Sequence, residues 1–170
     1  MTTPHLHVSA DGFALFQGQR YRCALGRAGV TPHKREGDHQ TPLGAFPVRE
    51  VFYRADRIAR PQTALPCRAL TPADGWCDDV ASPEYNRLVP LPHPARHEAL
   101  WRDDHVYDLI LVVGYNDDPV IPGHGSAIFI HLEREGYAGT EGCIAFACAD
   151  LLTILDGLLP ASQVIVTPLV

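Results

Sequence analysis

From Ala55 to Leu100 the chain is interrupted by prolines, in tracts such as PQTALPCRALTPADGWCDD and EYNRLVPLPHPARHEALW. A proline inside a helix removes a backbone donor and clashes with the preceding turn, and inside a central strand it breaks the ladder. Long helices and central strands are therefore excluded over most of this stretch. Trp76, Tyr85 and Trp101 are costly to leave in water, so the stretch reads as a folded excursion across one rim of a domain rather than as a linker. Upstream, GRAGVTPHKREGDHQTPLGAFPVREVFY is broken by glycine and proline in the same way. It reads as a looped approach to short extended pieces between Phe46 and Tyr53.

The remaining segments carry regular patterns. HLHVSA, Asp11-Gly12 and FALFQGQRYRCAL read as a hairpin with a second turn at Gln17-Gly18-Gln19. The continuous aliphatic run from Tyr107 to Val113 reads as a buried strand. In Gly125 to Leu132 the alternation places Ala127, Phe129 and His131 on one face and Ile128 and Ile130 on the other. CADLLTILDGLL is the one clear helix, with Leu151, Leu152, Leu155 and Leu158 as its apolar stripe and Asp150 near its start. SQVIVTPLV reads as a closing strand. At 170 residues the chain fits one domain spanning 1–170, mostly β with one helix and a long irregular rim.

Composition narrows the function. Twenty acidic residues against fourteen basic ones give a net charge of −6, which leaves no basic stripe for a nucleic acid backbone. The fourteen basic residues include a single lysine, Lys34, and this skew reads as genomic bias. The longest apolar run, Leu109 to Val113, is too short for a membrane span. The N-terminus shows no secretory signal. Cys23, Cys67, Cys77, Cys143 and Cys148 are odd in number and form no CxxC unit. Buried thiols are favoured over a Cys67–Cys77 bridge. No dinucleotide or P-loop fingerprint is present and the histidines lack metal-ligand spacing, so neither cofactor nor metal is expected.

The chemistry-bearing stretch is IHLEREGYAGTEGCIAFACADLL. His131 leaves a strand, a loop containing Gly136, Gly139 and Gly142 follows, and Cys143 opens the next apolar piece. An imidazole can take the thiol proton and later return one to a leaving group, so this pair suits acyl transfer. Gly142 permits a sharp approach to the nucleophile. Backbone amides near Gly142 and Cys143 would face an oxyanion, with Thr140 and Glu141 as polar support. The competing reading is a core thiol flanked by Ile144, Ala145 and Phe146 and a packed strand histidine. Cys148, in IAFACADLL, reads as core.

Two tracts resemble the YkuD-type L,D-transpeptidase catalytic domain. Thr140-Glu141-Gly142-Cys143, preceded by His131, resembles its Ser/Thr-x-Gly-Cys element. Gly37-Asp38-His39-Gln40-Thr41-Pro42-Leu43-Gly44-Ala45-Phe46 resembles its Gly-Asp-x-x-Thr-Pro-x-Gly-x-Phe element. The resemblance implies a β-rich sandwich or barrel with one or two helices. It implies Cys143 as acyl-accepting nucleophile and His131 as base, acting on peptidoglycan stem peptides or muropeptides through a thioacyl enzyme resolved by an amine or by water. It also sets Asp38 and Thr41 near the cleft and implies a periplasmic or envelope location, whereas the N-terminal reading leaves the cytoplasm open. Glu141 stands where many relatives carry His or Lys, and Ala145 where they carry Arg, which marks a divergent branch.

The loop VVGYNDDPVIPGHGS supplies Tyr115, Asn116 and His124 as candidate substrate contacts, although Asn116-Asp117-Asp118-Pro119 reads foremost as a turn. Asp74 to Asp79 could bind an ammonium or simply cap a surface loop. An L,D-carboxypeptidase or other cysteine amide hydrolase, and a non-catalytic peptidoglycan-binding module, are the alternative functions. A monomer is expected.

Overall fold

The computed structural model describes residues 2–169. The N-terminal hairpin expected from the alternation is a three-stranded meander: β1 Leu6–Ser9, β2 Phe13–Phe16 and β3 Gln19–Arg22. A short parallel pair follows, β4 Val30–Thr31 with β5 Thr41–Pro42. The extended pieces near Phe46 are one ten-residue strand, β6 Gly44–Tyr53. The rim contains β7 Cys67–Ala69, β8 Asp74–Cys77, β9 Arg87–Pro90 and β10 His97–Ala99. The C-terminal half supplies β11 Leu109–Val113, β12 Phe129–Leu132, β13 Ile144–Phe146, α1 Cys148–Gly157 and β14 Gln163–Thr167.

The main sheet runs β13-β12-β11-β6-β14-β1-β2-β3, with β7 attached to β6. It curls so that its two ends meet. Ala24, just past β3, exchanges backbone hydrogen bonds with Ala145 of β13 at 2.8 and 3.0 Å. The sheet is therefore a nearly closed barrel, and closure removes exposed edges that would otherwise invite pairing. The final strand does not lie at an edge: β14 is inserted between β6 and β1, antiparallel to one and parallel to the other.

The barrel interior holds Leu109, Leu111 and Val113 from β11, Ile130 and Leu132 from β12, and Leu151, Ile154, Leu155 and Leu158 from the helix region. These helix positions recur at i, i+3, i+4 and i+7, the pattern of one buried face. Ile154 replaces the expected Leu152, which is only half-buried. The other faces of β11 and β12 are also covered. Ile110, Val112 and Phe129 form a second apolar cluster with Trp76, Leu100 and Tyr107. This explains why β11 is aliphatic throughout: the rim roofs its outer face.

The rim roof is a separate three-stranded sheet, β10-β8-β9. Its Trp76 ring meets Phe129 edge-on at 5.0 Å, a contact worth about 0.5–1.5 kcal/mol beyond burial. Trp76 Nε1 donates to Asn86 Oδ1 at 3.0 Å, and the same oxygen accepts from Ala127 N at 3.0 Å. Asn86 Nδ2 donates to the carbonyls of Tyr115 and Asn116. These bonds hold Ala127 at φ 52, which breaks the strand expected from Gly125 onward and delays β12 to Phe129. All five cysteines are free thiols.

Among the described residues, no helix is long and apolar enough to cross a membrane.

Candidate active site

Strands β12 and β13 are parallel neighbours, with His131 paired to Ala145 and Ile130 to Ile144. Successive side chains alternate faces, so Cys143 and Ala145 project on the same side as Phe129 and His131. The shared side is the outer one, under the rim. Cys143 and His131 both open into a cleft of about 520 Å³, within the range that holds a small ligand. Each is less than a tenth exposed.

The thiol donates to the Ala127 carbonyl at 3.1 Å and accepts from Phe129 N at 3.4 Å. Burial pushes the Cys143 thiol up to about 12, with Glu98 and Glu141 adding to the rise and the Phe129 amide and Lys34 opposing it. Burial likewise pushes His131 down to about 4. Between those limits the resting pair is neutral thiol and neutral imidazole. His131 Nδ1 lies 2.9 Å from the Leu132 carbonyl. A carbonyl only accepts, so Nδ1 carries the proton and Nε2 keeps a lone pair, the state a base requires.

Thr140 and Gly142 shape the turn before Cys143. Thr140 Oγ1 donates to the Cys143 carbonyl at 2.6 Å and accepts from Gly142 N at 3.1 Å. The Gly142 amide, one of the two the sequence reading aimed at an oxyanion, is therefore engaged inside the turn. Gly142 has φ 135, and a Cβ there would lie 2.9 Å from the Gln40 carbonyl oxygen. Glu141 stands exposed at the cleft mouth beside Arg27 and His39.

The Gly37–Phe46 element reaches the cleft through Gly37 and His39, with Glu36 just ahead of them. Asp38 and Thr41 are not among the lining residues and brace the wall from behind. Asp38 accepts from Lys34 Nζ, from Arg35 N at 2.8 Å and from Gln40 N at 2.9 Å. These bonds hold its carboxyl below the usual range although burial works against them. Thr41 Oγ1 accepts from Gly26 N and donates to the Gly142 carbonyl, both at 2.9 Å.

Thr41→Val keeps the shape but strands a buried N–H and a buried carbonyl. A loss of about 2–3 kcal/mol is expected, read as a lower urea midpoint. A wild-type midpoint would mean that water replaces both bonds.

Tyr115, Asn116 and His124 lie outside the cleft lining and brace their own loop. Tyr115 Oη donates to the His124 carbonyl at 2.6 Å. Asn116, at φ 50, donates to the carbonyls of Ile121 and Gly125 and accepts from Ile121 N. This is the turn role. Asp74 is bound by Arg68 in the rim, whereas Asp78 lines the cleft and pairs with Arg96.

The cleft also holds residues the sequence did not single out. The rim supplies Arg96, Glu98 and Arg102, and the strand approach supplies Tyr107. Tyr107 packs its ring on His131 at 5.4 Å and donates its hydroxyl to Glu98. Behind Gly142 lies Lys34, buried, with its Cε 3.6 Å from where a Gly142 Cβ would be. Its being the one lysine of the chain was the available signal. For Glu98 and Tyr107 there was none, because both sit in tracts without local chemical patterning.

The barrel therefore presents Cys143 and His131 on one face of neighbouring parallel segments, both opening into a single cleft under a polar rim. The chain belongs to the YkuD family, the L,D-transpeptidase catalytic domain, whose family model matches residues 9–166. No curated protein matches it.

Proposed function

We propose that this protein is a cysteine acyltransferase that acts on peptidoglycan stem peptides, with Cys143 as nucleophile and His131 as general base. The observation that carries the reading is the placement of these two side chains on one face of β12 and β13, opening into one cleft, in a chain of the L,D-transpeptidase family. A free thiolate is scarce when burial holds the thiol at about 12, so proton transfer accompanies attack. His131 Nε2 takes the proton as Sγ bonds to the substrate carbonyl carbon. The imidazolium then gives that proton to the leaving amine as the C–N bond breaks, leaving a thioacyl enzyme. An incoming amine or water completes the cycle at the same carbon.

The test is incubation of the purified protein with tetrapeptide and pentapeptide muropeptides, with and without an acceptor amine, followed by mass spectrometry beside Cys143→Ala. Amine-exchanged or cross-linked product that disappears in the variant is the expected result. Only shortened stems would make the protein a carboxypeptidase. No Cys143-dependent product would sink the peptidoglycan substrate.

A further inference from the structure

Four carboxylates line the cleft: Glu36, Asp78, Glu98 and Glu141. Asp78 is paired with Arg96, Glu141 stands beside Arg27 and His39, and Glu36 accepts from the Ser126 hydroxyl. Glu98 differs. Its Oε1 accepts from Tyr107 Oη, and among the described residues no arginine, lysine or histidine forms an ion pair with it. Arg102, whose charge acts on Glu98, spends its guanidinium on Asp104 at 2.6 and 2.8 Å. A carboxylate set under a roof without a cation is costly, and its second oxygen, bonded to no protein donor, is left for a ligand.

Its placement indicates which ligand. Glu98 is carried by β10 of the rim, whereas Cys143 and His131 are carried by the barrel, so the cleft has a base on each wall. Tyr107 links them, with its ring against His131 and its hydroxyl on Glu98. Burial, with Asp78 and Glu141 in support, raises the Glu98 carboxyl above its ordinary value, while Tyr107 and Arg102 oppose the rise. A raised carboxyl is a stronger proton acceptor.

We propose that Glu98 binds the ammonium of the acceptor amine and removes its first proton, making it the catalytic base of the amine-transfer half-reaction. The proposal rests on the acyltransfer reading above. In this step R–NH3+ gives one proton to Glu98 and the freed nitrogen lone pair attacks the thioacyl carbon. The C–N bond forms and the C–S bond breaks. The second nitrogen proton passes to His131 Nε2 and from there to the departing Cys143 Sγ, and the Glu98 proton leaves to solvent. Water as acceptor bypasses Glu98, since it carries no ammonium proton.

The experiment compares wild type, Glu98→Gln and Tyr107→Phe, acylated with a tetrapeptide muropeptide at pH 7. Each is offered either a primary alkylamine, protonated at that pH, or hydroxylamine, which is largely neutral. The expected result for Glu98→Gln is a fall of about 100-fold in the ratio of alkylamine product to hydrolysis, with the ratio of hydroxylamine product to hydrolysis retained whatever the change in acylation rate. Tyr107→Phe should move the same ratio by about tenfold, because it removes one donor that orients the carboxylate. Equal loss with both amines would make Glu98 a structural residue and overturn the proposal. Retention of both, or a wild type that acylates yet transfers to neither amine, would also overturn it. A wild type forming no Cys143 adduct by intact mass would instead remove the parent reading, and the proposal with it.

Discussion

Replacing Cys143 by alanine is expected to lower acyl transfer by a factor on the order of 10⁴ or more, and His131→Gln by a similar factor. The two act in one step, so the double variant should be no worse than either single one. That non-additivity separates a working pair from two independent packing residues. The pH profile carries a second signature. His131 must be neutral to act as base, and burial holds its pKa near 4 instead of 6.5. The acid limb of kcat/KM for acylation should therefore lie near pH 4 to 5, with a flat region above it, since the thiol titrates only near 12. An acid limb centred at 6.5 would refute the buried-base assignment.

The same shift links to stability. Between about pH 6.5 and 4 the unfolded chain holds a proton on this histidine that the folded one lacks, so stability falls as pH falls through that window and levels off below it. The loss attributable to His131 is on the order of 3 kcal/mol. His131→Gln should flatten that part of the dependence in urea titrations at pH 7 and 4.5.

Gly142→Ala is expected to lower both stability and turnover. The backbone there sits at φ 135 and the new Cβ would meet the Gln40 carbonyl oxygen at 2.9 Å. Backbone strain of this kind costs about 1–3 kcal/mol. The Gln40 oxygen belongs to backbone, held by Asp38 at Gln40 N and anchored next door by Thr41 on the Gly142 carbonyl, so it cannot swing aside as a side-chain tip would. Relief must come from the turn itself, which moves Cys143 off its line to His131. Misplacement by about 1 Å can cost about 100-fold in rate. Thermal unfolding together with Cys143 alkylation kinetics would check both parts. A variant with wild-type melting and turnover would mean that the turn is looser than its hydrogen bonds suggest.

Much of this architecture was legible in the chain because short-range physics wrote it. The 2-residue period of Phe129 and His131 against Ile128 and Ile130 assigned the faces of β12, and Ile128 and Ile130 do fall into one apolar cluster and Phe129 into the other. The density of prolines ruled out long helices over the rim, and its buried Trp76 and Tyr85 marked it as folded. The Thr140–Cys143 and Gly37–Phe46 tracts, far apart in sequence, carried the family resemblance, and the Thr41–Gly142 hydrogen bond joins them in space. Where the reading missed, the cause was long-range. Ile154 belongs to the helix stripe because barrel curvature decides which leucines face inward. Tyr115 and Asn116 have polar side chains at a strand end, yet loop closure consumes their hydrogen bonds, and His124 enters that closure through its carbonyl, outside the cleft lining.

The sequence by itself determined the β-rich class, and its two family-like tracts singled out His131 and Cys143, with Thr140 and Gly142 beside them, as the candidate chemical centre. The first follows from periodicity, and the second from the resemblance that the Thr140–Cys143 and Gly37–Phe46 tracts carry. Tertiary structure alone decided that the rim roofs the barrel's outer face and that Glu98 and Tyr107 enter the cleft with Cys143 and His131. It also decided that Lys34 lies buried behind the Thr140–Cys143 turn. Those outcomes depend on contacts between segments tens of residues apart, whose apolar faces specify that they pack but not which polar side chains the packing brings together.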